Sequence, residues 1–419
     1  MEKFEINNIE TTLIHTNKFK TLTFFVAFFG EFNKENATKR SLLTKIMNST
    51  TKNYPTKKLV ASKLFDLYDA NVFVSNSPIY KTNLTVFGLS IINPRFVDDP
   101  NLLEEAFAFF KELIYSPNFD ENGFNENEFK EKKRILRDNI NNIYNNKAMY
   151  AFNRLLDEMG PNEIISVSSL GTIEELDKIT PQSLKDFYYQ IINNEMVKIY
   201  VTGDITREHV IELFRDFKFN NLRLNLEVAS NDEKHEEFRE VIENQNINQS
   251  QLMMGFRTNT NALDELYIPM AIFNMMYGGM VSSDLFRVVR EENSLAYSVG
   301  SSVFFDNRLL IVNAGIDAGD YEKTRDLIIN ELDRYKRGQV DSNLLQVAKD
   351  NLISSMMETS DDPFSNLTFI IKNSMLKNYT TDDIIELIKK VTIDDVVNAS
   401  QKVELDVIYC LKGEDNGNK

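Results

Sequence analysis

The same series of residues occurs near the end of each half of the chain, about 210 residues apart. In the first half, Thr180 precedes a predicted helix at 181–190, and the apolar run 196–201 follows it. In the second half, Thr392 precedes a predicted helix, and the apolar run 405–411 follows. Each threonine can cap its helix through the side-chain hydroxyl. This spacing predicts a duplicated fold, which restricts the architecture more than any other feature.

The remaining elements follow the same order in both halves. Short apolar runs at 22–30 and 250–257 predict buried strands, and helical stretches at 36–51 and 262–277 come after them. Two more predicted strands follow in each half, at 71–77 with 82–92 and at 295–305 with 308–316. Long amphipathic helices are predicted at 126–157, 321–337 and 342–357.

These elements predict an α+β fold class with two homologous domains, each a mainly antiparallel sheet with helices packed on one face. We expect an N-terminal domain at 1–220 and a C-terminal domain at 241–419. The segment 221–240 between them is polar and charged, and we expect it to be a linker.

Composition excludes several classes of function. The 419 residues carry a formal net charge of −16, which argues against a nucleic-acid partner because such binding needs clustered Lys and Arg. The acidic start lacks the pattern of a secretion signal, and the apolar run 22–29 is too short to span a bilayer. A single cysteine, Cys410, allows no internal disulfide. We therefore expect a cytoplasmic protein with no membrane partner.

The stretch from 283 to 299 is the most informative for chemistry. It predicts a helix at 282–292 and then a strand, with Arg290 in the last turn of the helix and Tyr297 early in the strand. Gly278-Gly279 supplies a flexible break before the helix. Arg and Tyr side chains both donate hydrogen bonds, so together they suit a carbonyl oxygen that gains negative charge. Taken singly, a solvated helix-end Arg and a half-buried sheet Tyr are the more ordinary interpretations.

This pattern resembles the pitrilysin/insulinase family, the inverzincin peptidases with the inverted zinc signature H-x-x-E-H. The family has Arg and Tyr seven positions apart in its C-terminal domain, as Arg290 and Tyr297 are here. The duplicated halves, Gly278-Gly279 and Tyr54-Pro55 add to the resemblance, which covers essentially the whole chain. It implies that the two domains form half of a clamshell around a peptide chamber.

The zinc motif of that family is degenerate in this chain. Counting back from Tyr54-Pro55, the three motif positions fall near Ser41, Thr44 and Lys45, and a third zinc ligand would correspond to Asp138. Hydroxyl groups are poor zinc ligands, an ammonium group repels the ion, and the catalytic Glu is missing. The histidines, which could supply other ligands, stand far apart at positions 15, 209 and 235. We therefore expect no metal in this chain.

The resemblance implies the non-catalytic subunit of a heterodimeric zinc metallopeptidase. A homologous subunit with an intact H-x-x-E-H would bring the zinc, and Arg290 and Tyr297 would position a peptide substrate and stabilise the oxyanion. The alternative is a catalytically dead peptide-binding or scaffold protein of the same fold, and a stand-alone peptidase is a third hypothesis. Alone, the chain could form a homodimer through the face that it would offer to a partner.

Overall fold

The predicted apolar runs form strands in the computed structural model, which describes residues 1–161, 163–220, 222–230 and 237–414. The strands are β1 (Glu2–Ile6), β2 (Ile9–His15), β3 (Thr21–Glu31), β4 (Asn71–Ile79), β5 (Thr82–Ile92), β6 (Phe119–Asp120), β7 (Gly123–Phe124), β8 (Met196–Gly203), β9 (Arg239–Asn244), β10 (Ser250–Arg257), β11 (Ala296–Phe304), β12 (Leu309–Ile316) and β13 (Glu404–Lys412).

Helices connect these strands. They are α1 (Lys34–Met47), α2 (Lys57–Asp66), α3 (Leu102–Tyr115), α4 (Glu126–Asn145), α5 (Lys147–Met159), α6 (Ile173–Lys178), α7 (Pro181–Asn194), α8 (Arg207–Phe214), α9 (Tyr267–Asn274), α10 (Tyr321–Lys336), α11 (Ser342–Asp361), α12 (Pro363–Ser374), α13 (Thr381–Lys390) and α14 (Ile393–Ser400). Among the described residues, no helix combines the length and the apolar character needed to cross a membrane.

The chain folds into two compact units, and neither is an uninterrupted stretch of sequence. The first unit comprises Met1–Asn141, Val167–Glu227 and Asp362–Ile371, and the second comprises Asn142–Ser166, Val228–Asp361 and Lys372–Lys419. Helix α5 therefore belongs to the second unit, although it lies in the first half of the sequence. The segment predicted as a linker, 221–240, includes Asn221 and residues 231–236, which lie outside the described residues.

The two main sheets repeat one topology. The first has the strand order β1-β2-β8-β3-β5-β4, and the second, read in the same direction, has the order β9-β13-β10-β12-β11. In each sheet the pair β2–β8 or β9–β13 is parallel and the other neighbours are antiparallel. Strand β1 is an addition to the first sheet. This recurrence confirms the predicted α+β class with antiparallel-dominated sheets and duplicated halves.

The repeated endings form as their sequences predict. The Thr180 hydroxyl accepts a hydrogen bond from the amide of Ser183, and the Ser183 hydroxyl accepts one from the amide of Thr180. Thr392 and Asp395 make the same reciprocal pair at the start of α14. Both α7 and α14 lead into a buried central strand of their sheet, β8 and β13.

Two predicted helices differ in the structure. The stretch predicted as one helix at 126–157 is two helices, because Asn146 has an extended backbone and its side chain caps α5 by accepting from the amide of Met149. The helix predicted at 282–292 is π-helical over Phe286–Glu292. A single side-chain cap and a change of helical pitch both leave the apolar periodicity almost intact, so periodicity does not reveal them.

Strand β3 is apolar from Phe24 to Phe29 because both of its faces are covered within the first unit. On one face Phe24 packs edge-on against Phe107 of α3, with ring centroids 4.8 Å apart. On the other face Phe25 contacts Phe73 of β4 at 5.5 Å and Phe364 of α12 at 5.4 Å. A strand buried on both faces reads as a continuous apolar run and not as an alternating one.

A buried ion pair fixes α1 against the first sheet. Arg40 Nη2 lies 2.6 Å from Glu195 Oε1, and the two side chains are 2% and 8% exposed. Arg40 also donates to the carbonyl oxygen of Glu31 at the end of β3. Burial raises the pKa of Glu195, and the Arg40 charge opposes that rise. A Cβ at Gly30 would lie 2.0 Å from the Glu195 carboxylate, so this close approach requires glycine.

Arg40→Met tests whether this pair holds α1. It leaves a buried carboxylate without its partner, which costs about 3–5 kcal/mol at pH 7. Because the folded-state pKa of Glu195 is raised, and rises further without Arg40, folding favours its protonated form. The difference in the free energy of unfolding between Arg40→Met and the unmodified chain should therefore shrink as the pH falls toward the ordinary Glu pKa. Urea unfolding at several pH values measures this difference. Arg134→Met, which breaks an exposed pair, is the matched control and should change stability little.

Candidate functional site

Helix α1 carries Ser41, Thr44 and Lys45, the residues predicted to lie at degenerate zinc positions. Asn33 and Asn36 form a reciprocal cap at its start. Ser41 and Thr44 are both buried. The Thr44 hydroxyl lies 3.1 Å from the carbonyl oxygen of Ser41 and 3.3 Å from the amide oxygen of Asn76 on β4, so it already has acceptors inside the protein.

Lys45 brings a positive charge to the same helix turn. Its side chain is half-buried, and burial, together with the nearby charge of Lys132, lowers the pKa of its ammonium group. With the Asn139 amide oriented so that it donates to the carbonyl oxygen of Ile135, its oxygen accepts from Lys45 Nζ at 3.1 Å. The α4 residues nearest to Lys45 are therefore an amide and a second lysine. Repulsion between these two ammonium groups disfavours a cation between them.

Asp138, the predicted remnant of the third ligand, lies on the surface of α4. Its carboxylate pairs with Arg134 one turn away, at 3.0 Å. Further along the same helix, Lys132 Nζ lies 3.6 Å from Glu128 Oε1, and both of these side chains are mostly buried. Sequence reasoning did not identify Lys132 or Glu128, because choosing the buried face of α4 requires knowing how the helix packs.

The side chains at these positions do not fit a zinc ion. Zinc in proteins takes thiolate, imidazole or carboxylate ligands, whereas Ser41, Thr44 and Lys45 offer two hydroxyls and an ammonium group. Across the described ranges, no group of three or more His, Cys, Asp or Glu side chains is placed to hold a metal. His15 instead pairs with Asp204 at 3.2 Å, His209 lies in the first turn of α8, and His235 lies outside the described residues.

The second unit holds Arg290 and Tyr297 on adjoining elements. Arg290 lies in the π-helical segment Phe286–Glu292, and Tyr297 lies at the start of β11. The amide of Ser294 donates to the carbonyl oxygen of Arg290, and Ser294 has a left-handed backbone with φ 54°. This turn ends the helix and starts the strand. Both side chains are exposed.

A buried carboxylate, Asp284, anchors this helix to α10. It accepts hydrogen bonds from Arg287 at 2.7 Å, from Arg334 at 2.5 Å and from the Tyr335 hydroxyl at 2.7 Å. Burial, together with the Asp284 charge, raises the pKa of Tyr335, so that its hydroxyl stays protonated and donates. Sequence analysis missed this network: Arg287 is a near neighbour of Asp284, but Arg334 and Tyr335 are 50 and 51 residues away.

The predicted break at Gly278-Gly279 is a point of close packing. These glycines end the π-helical turn Met275–Gly279, and a Cβ at Gly278 would lie 2.6 Å from the hydroxyl of Ser301 on β11. The Ser301 hydroxyl is 2.8 Å from the side-chain oxygen of Asn274. Glycine is needed here so that the helix backbone can approach the strand that carries Tyr297.

An irregularity in the sheet presents Tyr297 to solvent. The register of β11 against β12 shifts between Ala296 and Ser298, so Tyr297 is the extra residue of a β-bulge. Bulges of this kind redirect a side chain. The Tyr297 side chain is 63% exposed, and its hydroxyl lies 3.4 Å from a carboxylate oxygen of Asp317. Its hydroxyl can therefore reach a molecule outside the unit.

Arg290 offers a second exposed donor. Its guanidinium lies over the Phe286 ring, 4.9 Å from the ring centroid, which limits the conformations that the side chain can adopt. A guanidinium and a phenol both donate hydrogen bonds and suit a carbonyl or carboxylate oxygen. The two side chains are thus available for binding, whereas the positions on α1 are filled by their own contacts.

Comparisons with known proteins place the chain among peptidase homologues. The family model described as "Peptidase M16 inactive domain" matches residues 178–352. "Probable inactive metalloprotease YmfF" of Bacillus subtilis is 27% identical over 389 residues, which cover 89% of this chain and 91% of that protein. "Uncharacterized zinc protease YmxG" of Bacillus subtilis is 26% identical over 277 residues, which cover 65% of this chain and 67% of that protein.

A solved structure agrees with these sequence relatives. A conserved protein from Enterococcus faecalis V583 superposes with a TM-score of 0.90 at 26% identity, covering 99% of this chain and 98% of that protein. The sequence match and the repeated sheet topology agree with one another. The chain is therefore similar to proteins of the M16 peptidase family, and residues 178–352 match that family's inactive domain.

Proposed function

We propose that this chain is the non-catalytic subunit of a heterodimeric zinc metallopeptidase. A homologous subunit with an intact H-x-x-E-H motif brings the zinc, and this chain brings Arg290 and Tyr297 to the partner's active site. The observation that carries the proposal is the contrast between the two units. The helix that would bear a zinc motif carries buried hydroxyls and an ammonium group, whereas the Arg and Tyr are exposed and anchored.

The roles follow from the chemistry of the two donors. Peptide hydrolysis at a zinc site develops negative charge on the carbonyl oxygen of the substrate, and a phenolic hydroxyl that donates to this oxygen stabilises the transition state. Tyr297 takes this part. The Arg290 guanidinium has several fixed donors and no acceptor, which suits the carbonyl groups of a peptide backbone, so it positions the substrate.

Relatives support the existence of a suitable partner. A protein similar to this chain is named a zinc protease, so the same ancestry includes chains of that description. The partner in the proposal is a chain of this kind, with the peptide as substrate. A cytoplasmic location is part of the proposal, because the one cysteine, Cys410, is buried as a free thiol and leaves the fold independent of disulfides.

Tyr297→Phe tests the proposed role in the reconstituted pair. Removing one oxyanion donor should lower kcat about a hundredfold or more, since such a donor contributes roughly 3 kcal/mol to the transition state. KM should change much less, because the interaction strengthens only in the transition state. Steady-state peptide cleavage by the purified pair measures both constants.

Tyr189→Phe is the matched control, because this tyrosine is also exposed but lies on α7 of the first unit. It should leave turnover unchanged. Equal kcat for the unmodified pair and the Tyr297→Phe pair would remove the proposed role of the hydroxyl. Tight assembly without any cleavage would instead favour a peptide-binding scaffold.

Metal content tests the other half of the proposal. After purification without a metal-binding tag and dialysis against zinc-free buffer, this chain should hold far less than one equivalent of zinc, because α1 offers no suitable ligands. Elemental analysis by mass spectrometry measures the ratio. A homologue with H-x-x-E-H, prepared in parallel, is the positive control and should hold about one equivalent. Stoichiometric zinc in this chain would contradict the proposal.

A further inference from the structure

A cavity of about 290 Å³ lies in the second unit between α5 and the sheet. We call it the α5 pocket. Its walls are apolar: Met149 and Phe152 come from the helix, and Met253, Phe304 and Ile311 come from the strands. The rings of Phe152 and Phe304 are in contact, with centroids 5.9 Å apart. The volume is near the lower end of the range for ligand pockets, so it suits one large side chain and not a larger ligand.

Part of the pocket lining is polar. Ser302 and Asn313 line the pocket and are exposed. Within the described part of the chain, their side chains make no hydrogen bond to the protein. Gly300 pairs with Asn313 across the strands, so no side chain from that position covers the Asn313 amide. A hydroxyl and an amide can both donate and accept, which matches the N–H and C=O groups of a peptide.

The pocket lies beside β11, along which a bound peptide can extend. Ser302 and Phe304 are two residues apart on β11, so they share one face of the strand. In the described residues, β11 pairs with β12 alone and is the outer strand of its sheet. Ser302 is five residues from Tyr297, which is about 16 Å along a strand. An extended peptide spans that distance in about five residues.

The methionines in the walls favour a side chain over a rigid molecule. Met149 is 47% exposed and Met253 is buried, so one thioether forms a movable wall and the other forms the floor. Unbranched thioether side chains adapt to large apolar groups of different shapes. The apolar walls therefore suit a large apolar side chain of a peptide, and the Ser302 hydroxyl and Asn313 amide suit the backbone of the same peptide.

We propose that the α5 pocket binds a large apolar side chain of an extended peptide whose backbone lies along β11. This rests on the proposed function and deepens it, because it assigns the substrate class: peptides with a bulky apolar residue about five positions from the bond that Tyr297 contacts. The pocket selects the peptide by its side chain, while Ser302 and Asn313 bind its backbone.

Peptide binding to the isolated full chain tests this assignment without zinc or a partner. The probes are two capped decapeptides of Gly and Ser that differ only in a central Phe or Ala. The Phe peptide should bind at least about tenfold more tightly, as burial of one large apolar side chain predicts. Methyl NMR of ¹³C-labelled methionine should show shifts at Met149 and Met253 but not at Met357, which is on α11 outside the pocket.

Variants of the walls give the complementary result. Met149→Asp places a charge at the opening and should weaken binding of the Phe peptide about tenfold or more. Met357→Asp is the matched control, because Met357 is similarly exposed at 53%, and it should leave binding unchanged. Ala148→Phe fills the cavity from an exposed helical position and should act like Met149→Asp.

Equal affinity for the Phe and Ala peptides, or equal effects of the two Asp variants, would overturn the assignment. So would binding of free N-acetylphenylalaninamide as tight as that of the Phe peptide, since the occupant would then be a small molecule. These results are independent of Tyr297. If peptide binding does not depend on the pocket but Tyr297→Phe still lowers turnover, only the pocket assignment is contradicted. If binding depends on the pocket but Tyr297→Phe leaves turnover unchanged, only the proposed role in a shared active site is contradicted.

Discussion

The buried ion pair of Arg40 and Glu195 holds α1 against the first sheet, and we propose that this helix corresponds to the one that bears the zinc motif in an active homologue. The pair joins the helix to the start of β8, and Arg40 also reaches the end of β3. A buried pair of this kind is worth most when both partners are present, because either charge alone is left desolvated. The position of α1 against the first sheet therefore does not depend on a metal ion.

With the scaffold fixed in this way, the side chains decide the chemistry. On α1 they are the buried hydroxyl of Ser41, the Thr44 hydroxyl with its internal acceptors and the half-buried ammonium of Lys45, beside a second ammonium on α4. In the second unit, Asp284 binds Arg287, Arg334 and Tyr335 and so secures the segment that carries Arg290. The bulge at Tyr297 then turns that residue toward solvent. The two units repeat one sheet topology but differ in chemistry, because Ser41 and Thr44 are buried in the first whereas Arg290 and Tyr297 are exposed in the second.

Much of the fold could be predicted from the sequence because its signals are local. The threonine caps at 180 and 392, the apolar strands and the repeat all depend on nearby residues, and the structure confirms them. Membership of α5 in the second unit could not be predicted, because amphipathic periodicity shows that a helix has an apolar face but not which sheet covers it. The break at Asn146 was missed for a related reason, since asparagine is also found within helices.

The residues of the candidate site also fall into those that the sequence identifies and those that only the structure identifies. Arg290 and Tyr297 could be chosen from their spacing, and the sequence alone shows that positions 41, 44 and 45 hold neither His nor Glu. The residues that surround these positions and hold them in place could not be identified from the sequence. Asp284 reaches partners about 50 residues away, and the Lys132 charge near Lys45 depends on the packing of α4. The bulge at Tyr297 is a property of the pairing of two strands and leaves no mark on either one.

The proposed function requires two polypeptides, one that binds the zinc and this chain, which supplies Arg290 and Tyr297. The direct measurement is peptide cleavage by three preparations: this chain alone, a zinc-bearing homologue with H-x-x-E-H alone, and the two mixed at equal concentration. The account predicts no cleavage by this chain alone and a large gain on mixing, with the bound zinc remaining in the homologue. Cleavage by this chain alone, or a mixture no more active than the homologue by itself, would contradict it.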